Sequence, residues 1–583
     1  GYGMRVVGPN CMGVINTDPE VRLNATFSHD YPSAGNIAFL SQSGALGLAM
    51  LQYARQLSMG LSNFVSIGNR ADISSNDLLR YWQQDERTKV ILLYLESFGN
   101  PRKFGRIARQ VSAHKPIIAI KGGRTAAGSR AAATHTGAMV ASVTATEALF
   151  RQSGIIPVNS VKESFEVVSL LSKQPVPAGN RVAIVTNGGG PGIVAADACA
   201  SHRLTLPKFS AKIARRLKSA SSRDITVNNP FDLTASASAQ EFKDVLEILA
   251  QDKANDSVLL ISIPPLTVDS NVMRESVRLS MPSFRQQRKP FIACLVGQPE
   301  ACGELESEGL PAYTFPEEAV SALSHAVEYA DWVRKPQGTI PSFPDIRREE
   351  AETLIEEAMS ATSSRPFWLS TLKASQLLDC YGIRMVTTSL AGSADEAADV
   401  AGDIGFPVAV KLASDTIAHK SEVGGIALGL ETKKDVRQAF RNIKGRLSAD
   451  NREDEMDGVV VQSMVDGGVE TIAGVSEDPT FGQVLMFGIG GVYTELLRDV
   501  SVRLHPLTDV QAEDMIGALR MSPMLKGWRD TPACDVKALE EMLLRLSALI
   551  EDVKEVAEVD LNPVIAMPEG EGYFVVDAKI RLK

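Results

Sequence analysis

The chain has 583 residues, 44% of them hydrophobic and 22% charged, which is ordinary for globular protein and predicts roughly four domains. Its net charge of −10 argues against a nucleic-acid-binding protein, because neutralising phosphates needs a basic surface. No apolar run reaches the roughly 20 residues of a membrane span, no signal peptide opens the chain, and the six cysteines include no CxxC pair. We therefore expect a soluble, cytoplasmic protein from a reducing compartment, with no nucleic-acid or membrane partner.

The first residues, "GYGMRVVGPNCMGVIN", predict a strand and a loop with nothing before them to pair with. Gly1 is not an initiator. We therefore expect a chain whose N-terminal domain has been lost.

Short apolar strands alternate with helical patterns through the first 335 residues, as in "NIAFL", "KVILLYLESF", "KPIIAIKGG" and "RVAIVTNGGG". Continuous apolar strands alternating with helices indicate buried parallel sheets of the α/β type. The pattern predicts one such domain at residues 19–160 and a second at residues 180–335. A Pro-containing stretch and an acidic helix follow, and residues 336–362 are predicted to be a linker. A further domain is expected at residues 363–583.

Two glycine-rich turns, "SQSGALG" and "TNGGGPG", each follow a strand and open a helix. Such a turn presents free N–H groups at the positive end of a helix, which suits a phosphate, and glycine lets the backbone approach closely. Neither turn matches GxGxxG or a Walker A sequence, so a tight strand-to-helix turn without a ligand is the alternative. The phosphate-binding residues predicted on this basis are Ser43, Gly44, Gly188, Gly189 and Gly190.

His135 lies among small residues in "AAATHTGAM", in a chain with seven histidines, which favours an exposed and functional loop. Glu96 ends the strand "ILLYLE", at the sheet edge where α/β proteins place ligands, and could orient an imidazole or be a solvated loop residue. No second histidine or cysteine lies at metal-ligand spacing, so His135 is a general base or a nucleophile. A nucleophile that accepts a phosphoryl group would use both anion-binding turns.

The C-terminal third offers further candidates, each of which could equally be a solvated charge. Lys411 lies on the strand "VAVKLA", from which a lysine can neutralise nucleotide phosphates. Asn562 and Asp577 are oxygen donors suited to Mg²⁺. His419 lies in a polar, glycine-bearing loop, "IAHKSEVGGI".

These motifs, in this order along the chain, resemble the NDP-forming acyl-CoA synthetases, the superfamily that includes succinyl-CoA synthetase. The resemblance covers essentially the whole chain and is strongest to ADP-forming acetyl-CoA synthetases with both subunits fused. It implies two flavodoxin-like, succinyl-CoA synthetase-like domains followed by an ATP-grasp domain. It also implies that residues 1–18 are the remnant of a Rossmann-like CoA-binding domain, so that this chain should bind CoA poorly.

The resemblance implies the site residues as well. His135 corresponds to the phosphorylated histidine, Glu96 to the carboxylate that supports it, and His419 to a second histidine that relays the phosphoryl group. Asp560 corresponds to the carboxylate at the nucleotide side, where succinyl-CoA synthetases have glutamate. Lys411 is assigned to the nucleotide phosphates, and Asn562 and Asp577 to the metal. The residues implied on the adenine side are Gln462, Ser463, Met464 and Val465, with Glu470 as a further nucleotide contact.

The implied reaction joins a carboxylic acid to CoA with ATP and Mg²⁺, releasing ADP and phosphate through acyl phosphate and phosphohistidine intermediates. Fused members of the family commonly dimerise, so a homodimer is expected. The alternative is the ligand-sensing part of a protein lysine acetyltransferase built on the same scaffold. The remaining histidines, His29, His114, His202, His325 and His505, match no motif.

Overall fold

The structure, a computed structural model, forms two compact units, Gly1–Pro336 and Gln337–Lys583. It describes residues 3–124, 142–264, 270–362, 364–414, 417, 423–491, 499–529 and 531–583. No helix in these ranges is long and apolar enough to cross a lipid bilayer.

The first sheet of the first unit contains five parallel strands extended by an antiparallel hairpin. Its strands are β1 (Gly13–Asn16), β2 (Leu23–Thr26), β3 (Ala34–Ser41), β4 (Leu61–Ser66), β5 (Val90–Leu95), β6 (Ile117–Lys121) and β7 (Ile155–Val158). The parallel strands run in the order β4-β3-β5-β6-β7, the flavodoxin-like 2-1-3-4-5 order that was expected from the resemblance. Because helices cover both faces of a parallel sheet, the central strands are buried along nearly their whole length.

The second sheet repeats this arrangement with parallel strands in the order β12-β11-β10-β8-β9. Its strands are β8 (Val182–Thr186), β9 (Phe231–Asp232), β10 (Ser257–Ser262), β11 (Phe291–Leu295) and β12 (Ala312–Tyr313). In chain order this is again 2-1-3-4-5, so the first unit holds two flavodoxin-like domains.

One hydrophobic core joins the two sheets of the first unit, and it includes Phe39 and Ile118 of the first sheet and Ile184 and Ile292 of the second. The helices of this unit are α1 (Gly44–Gln56), α2 (Ser75–Gln84), α3 (Pro101–Ser112), α4 (Val143–Ser153), α5 (Val161–Lys173), α6 (Gly189–Ser201), α7 (Ala211–Ser219), α8 (Ala239–Gln251), α9 (Ser270–Gln287), α10 (Pro299–Ser307) and α11 (Pro316–Arg334). Helix α11 packs against α5 and α6, so the two domains are held together by helices as well as by the shared core.

The second unit contains two antiparallel sheets. The larger has the order β13-β23-β21-β18-β19-β20 with β22 beside β21, and the smaller has the order β14-β17-β15-β16. The strands are β13 (Phe367–Trp368), β14 (Thr388–Ala391), β15 (Val408–Ala413), β16 (Ile426–Leu430), β17 (Gly458–Ser463), β18 (Val469–Asp478), β19 (Gly482–Ile489), β20 (Val500–Leu504), β21 (Val556–Ala566), β22 (Tyr573–Val575) and β23 (Ala578–Leu582).

Helices cover one face of each sheet in the second unit and leave the other face available to a ligand. They are α12 (Arg348–Ala361), α13 (Thr371–Cys380), α14 (Ala394–Ile404), α15 (Lys433–Ala449), α16 (Asp509–Gly517), α17 (Ser522–Leu525) and α18 (Val536–Asp552). Helix α18 packs through Leu539, Met542 and Leu546, which are fully buried. Helical spacing of apolar residues therefore gives α18 its buried face.

Two predicted segments pack against their neighbours. Within residues 336–362, which the sequence predicts to be a linker with an acidic helix, α12 contributes Ala351, Ile355 and Ala358 to the core of the second unit. Within residues 1–18, β1 pairs with both β2 and β4 of the first sheet.

Candidate functional site

The first glycine-bearing turn joins β3 to α1. Ser43 is the N-cap of α1, and its hydroxyl accepts a hydrogen bond from the Leu46 amide at 3.3 Å. The Ser41 hydroxyl donates to the Ser43 carbonyl at 2.6 Å, and a Cβ at Gly47 would lie 3.0 Å from the Ser41 Cβ. The helix therefore begins tightly against its strand, with the N–H groups of its first turn at the carboxyl edge of the sheet.

The second turn, between β8 and α6, repeats this geometry with Thr186 in the place of Ser41. The Thr186 hydroxyl accepts from the Gly188 N–H and donates to the Gly188 carbonyl, each at 3.0 Å. Gly188 is the N-cap, and Gly189 and Gly190 are exposed. Pro191 corresponds to Leu46 of the first turn, but proline has no backbone N–H. An N-cap side chain at position 188 would therefore find no N–H group at Pro191 to bond. The turn is open to an anion because a Cβ at Gly190 would meet no atom within 4 Å.

A buried amide side chain follows the first strand in each turn. The Gln42 Oε1 accepts from the backbone N–H groups of Glu96 and Ser97, and its Nε2 donates to the Ser97 carbonyl at 2.8 Å. The Asn187 Oδ1 accepts from the Ile263 N–H at 2.9 Å, and its Nδ2 donates to the Ile263 carbonyl at 3.1 Å. Each amide thus ties the turn to the neighbouring strand at the point where strand order reverses, which is where α/β sheets bind ligands.

Glu96 lies half-buried beside the first turn, at the end of β5. Burial raises the pKa of the Tyr94 hydroxyl, and the Glu96 carboxylate, which accepts a hydrogen bond from it, raises that pKa further. The ammonium of Lys121 donates to the Glu96 carbonyl at 2.8 Å, and the guanidinium of Arg70 donates to the Ser97 carbonyl at 2.9 Å. The structure therefore brings Glu96 to the turn of Ser43 and Gly44, as the sequence predicts for a carboxylate at this edge. The two histidines of the proposed relay, His135 and His419, lie outside the described residues.

In the second unit, Lys411 and Gln462 lie on the open face of the smaller sheet. Their pairing partners put them there: Lys411 is opposite Val460, and Gln462 is opposite Ala409 and Thr388. The other face carries the core packed under α14 and α15. The Gln462 amide is 1% exposed and donates to the Thr388 hydroxyl at 3.0 Å and to the Val576 carbonyl at 3.4 Å. Among the described residues the buried Gln462 Oε1 has no hydrogen-bond partner, so Gln462 retains one acceptor.

The other predicted nucleotide-side residues continue from β17. Ser463 ends this strand, the Met464 amide donates to the Pro407 carbonyl at 3.3 Å, and Val465 is half-buried. Glu470 lies on β18, and its carboxylate oxygen would be 3.1 Å from a Cβ at Gly491. Glu470 thus lies against the glycine pair, Gly490 and Gly491, that follows β19.

The predicted metal residues lie together on the open face of the larger sheet. Asp560 and Asn562 alternate with buried residues of β21, and the Asn562 N–H donates to the Asp577 carbonyl at 3.0 Å. Burial raises the pKa of Asp560; Lys579, opposite it in β23, lowers that pKa, while the carboxylates of Asp577 and Glu558 raise it. The charges of Asp577 and Glu558 thus act on the Asp560 carboxyl, and Lys579 opposes them.

The residues present fit Mg²⁺, which the ATP-grasp resemblance implies. In the described part of the chain, no three His, Cys, Asp or Glu side chains are grouped as a complete metal site. Mg²⁺ does not require one, because it is usually held by one or two carboxylates together with water and substrate phosphates. Asp577 and the amide oxygen of Asn562 supply such a partial set.

Four residues at the two sheet edges were not singled out from the sequence: Gln42, Asn187, Arg70 and Lys121. Gln42 and Asn187 are the second residues of the two glycine motifs. Aligning the two motifs with each other would have shown that both carry an amide side chain at this position. Arg70 and Lys121 follow other strands, so their approach to Glu96 depends on strand order and register.

Two family models match the chain. A succinyl-CoA ligase like flavodoxin domain matches residues 34–171, and an ATP-grasp domain matches residues 360–582. These ranges agree with the fold class that the motifs predict.

Relatives with named activities extend over the whole chain. It is 39% identical over 585 residues to an ADP-forming acetate–CoA ligase of Archaeoglobus fulgidus, covering 100% of this chain and 82% of that protein. It is 34% identical over 586 residues to an ADP-forming 4-hydroxybutyrate–CoA ligase of Nitrosopumilus maritimus, covering 100% of this chain and 83% of that protein.

The chain is also similar to a solved structure from the same family of enzymes. That structure is a Ca. Korarchaeum cryptofilum acetyl-coenzyme A synthetase in complex with phosphate and ADP, with a TM-score of 0.54 and 36% identity, covering 57% of this chain and 72% of that chain. None of these similarities supports the sensing alternative. The chain belongs to the family of ADP-forming acyl-CoA ligases.

Proposed function

We propose that the protein joins a small carboxylic acid to CoA, with ATP as the energy source and ADP and phosphate as products. The observation that carries this proposal is the pair of equivalent anion-binding turns in the first unit, one of them beside Glu96. A phosphoryl group carried on a histidine needs positive helix ends at its stations. The two equivalent turns would together cradle the phosphoryl group, as the resemblance implies.

The first step would take place in the second unit. Lys411 would bind the phosphates of ATP from the open face of the smaller sheet, with Gln462 to Val465 and Glu470 around the rest of the nucleotide. The terminal phosphoryl group would move to His419, with ADP as the leaving group, and from His419 to a ring nitrogen of His135. Asp560 would orient the imidazole at this nucleotide side.

The second step would take place at the edge of the first sheet. The N–P bond of phosphorylated His135 breaks as a carboxylate oxygen of the acid takes the phosphoryl group, which gives an acyl phosphate. Glu96 would hold the imidazole and stabilise its protonated form, while the start of α1 at Ser43 and Gly44 binds the phosphoryl oxygens. The CoA thiolate then attacks the acyl carbonyl, and phosphate leaves.

The second turn, Gly188 to Gly190, would bind the same phosphoryl group together with the first turn. Mg²⁺, held by Asn562 and Asp577 together with the nucleotide phosphates, would neutralise part of their charge. All six cysteines are free thiols, which supports a reducing, cytoplasmic location. We expect a homodimer, as the resemblance implies, and sedimentation would test it.

We take a small acid as the substrate class, because the two related enzymes described above are named for acetate and 4-hydroxybutyrate. The test is ADP release measured with ATP, CoA and a panel of such acids, each reactant being omitted in turn. ADP release that needs both acid and CoA supports the proposal, whereas release independent of both contradicts it.

A matched pair of variants sharpens this assay. Lys411→Met should raise the KM for ATP by about tenfold or more, because one phosphate-binding charge is lost. Lys433→Met removes a lysine that pairs with Asp399 on the helical side of the same sheet, and it should leave the KM unchanged.

A further inference from the structure

The backbone of Glu96 and Ser97 is held by three long polar side chains from three other elements. Gln42 accepts from both N–H groups, Arg70 donates to the carbonyl and the hydroxyl of Ser97, and Lys121 donates to the carbonyl of Glu96. Every backbone polar group of the pair therefore has a side-chain partner. We call Gln42, Arg70 and Lys121 the cradle of Glu96.

Two members of the cradle are cations, and both are withdrawn from solvent. Lys121 is 6% exposed, and its ammonium donates only to carbonyl oxygens in the described bonds, those of Glu96 and Gly122. Burial lowers the pKa of Lys121 to about 8 and also lowers the pKa of Arg70, and in both cases the Glu96 carboxylate opposes the effect. Burying a charge is costly, and in the second domain the neutral amide of Asn187 donates to the corresponding carbonyl, that of Ile263. The positive charge therefore has a role beyond bonding the backbone.

The second flavodoxin-like domain provides an internal comparison. Strand register equates Glu96 with Ile263, because Ser41 pairs with Tyr94 as Thr186 pairs with Ile261. The same register equates Lys121 with Leu295, since Leu95 pairs with Lys121 as Ser262 pairs with Leu295. The domain without the carboxylate thus also lacks the edge lysine.

Another pair of lysines, one in each domain, shows that the two domains do not differ in all their buried lysines. Lys115, before β6, donates to the carbonyls of Trp82 and Asp85 at the end of α2. Lys289, at the corresponding place before β11, donates to the carbonyls of Leu249 and Asp252 at the end of α8. The lysine that caps a helix is present in both domains, whereas the lysine at the carboxyl edge is present only where Glu96 is.

We propose that Lys121 and Arg70 are positioning residues for Glu96: their bonds fix the backbone that carries its carboxylate, and their charges hold that carboxylate at the sheet edge. This inference rests on the proposed function. It assigns to the acyl side of the reaction two cations that belong to no motif.

The test labels the full chain from two donors and compares the rates. Labelled acetyl phosphate donates at the acyl side: its P–O bond breaks, acetate leaves, the N–P bond forms, and the imidazole proton is released. γ-labelled ATP donates at the nucleotide side. The variants are Lys121→Leu, which copies the second domain, Glu96→Gln, the double variant, and Lys115→Met as the buried-lysine control.

We expect Lys121→Leu to slow labelling from acetyl phosphate by about tenfold or more while labelling from ATP stays within about twofold. It should add less than about twofold to Glu96→Gln, because a positioning residue acts through the residue it positions. Lys115→Met should change neither rate. If Lys121→Leu does not fold, as judged by its thermal transition, Arg70→Met takes its place in the same scheme.

Two results would overturn the inference while leaving the proposed function intact: wild-type-like labelling of the variant from acetyl phosphate, or effects of Lys121→Leu and Glu96→Gln that multiply. A wild-type chain that takes label from neither donor would overturn the proposed function and this inference together.

Discussion

Gln42 and Asn187 occupy the same position in the two flavodoxin-like domains and make the same connection across it. Gln42 directly follows β3 and bonds the backbone just beyond β5. Asn187 directly follows β8 and bonds the backbone just beyond β10. Each uses both the oxygen and the nitrogen of its amide. Gln42 is 7% exposed and Asn187 is 2% exposed. The two glycine-bearing turns are thus held at their sheet edges by a common device, although their N-caps differ.

Replacing either amide should destabilise the first unit. Gln42→Leu leaves the N–H groups of Glu96 and Ser97 without their acceptor, and Asn187→Leu strands the N–H and carbonyl of Ile263. Each change should lower the free energy of unfolding by about 2–3 kcal/mol, measured in urea. Gln240→Leu, at an exposed position on α8, is the control and should stay within about 0.5 kcal/mol. Equal stability of all three variants would show that the amides do not hold the turns.

A substitution at Gly190 can test phosphate binding at the second turn without destabilising the fold. A Cβ at this position meets nothing within 4 Å, so Gly190→Ala should fold normally and gain up to about 1 kcal/mol from reduced backbone entropy. The added methyl group occupies the approach to the helix start, and phosphoryl transfer from ATP should therefore fall. Gly303→Ala in α10, where a Cβ also meets nothing, should stabilise the protein without lowering activity. Full activity of Gly190→Ala would show that the phosphoryl group does not bind at this turn.

The acyl-side reaction should lose rate in alkaline solution. Burial lowers the pKa of Lys121 to about 8, and the Glu96 carboxylate, which accepts a hydrogen bond from the Tyr94 hydroxyl, opposes that effect. Lys121 is positive below that pH and neutral above it, so labelling from acetyl phosphate should decline as pH rises through about 8. In Lys121→Arg the charge persists, and the decline should move to higher pH. An identical pH profile for the two proteins would exclude Lys121 as its source.

Glu241 should stabilise the second domain in a pH-dependent way. Burial alone would raise its pKa, but N–H and hydroxyl donors from Ser238 and Ser222 lower the pKa to about 2. Because the folded pKa lies below the unfolded value, this stabilisation is complete above about pH 4.5 and is lost as pH falls toward 2. Glu241→Gln should lower the unfolding free energy by about 2 kcal/mol at pH 7, and the difference should shrink in acid.

Glu247 on the same helix, half-buried and paired with Lys243 at 3.7 Å, is the matched control. Glu247→Gln should change the unfolding free energy by less than about 0.5 kcal/mol at either pH. A deficit of Glu241→Gln that stays constant down to pH 2 would contradict the assigned pKa.

The alternation of apolar strands and helices predicted both flavodoxin-like domains, because a buried parallel strand needs a continuous apolar run. The position of Glu96 was also predictable, since it follows directly from the end of β5. The cradle was not, because Arg70 and Lys121 reach Glu96 only through the order and register of β4, β5 and β6. The packing of α12 within residues 336–362 was not predictable for a related reason: its apolar residues are few, and their burial depends on a sheet far along the chain.

The most direct test of the account is the acid stability of label transferred from γ-labelled ATP, because phosphohistidine is acid-labile. The variant is His135→Asn, and the control is His114→Asn, an exposed histidine after α3. The account predicts acid-labile label in the wild type and in His114→Asn, and its loss in His135→Asn. Label that is acid-stable, or that persists in His135→Asn, would contradict the phosphohistidine on which the proposed ligase mechanism depends.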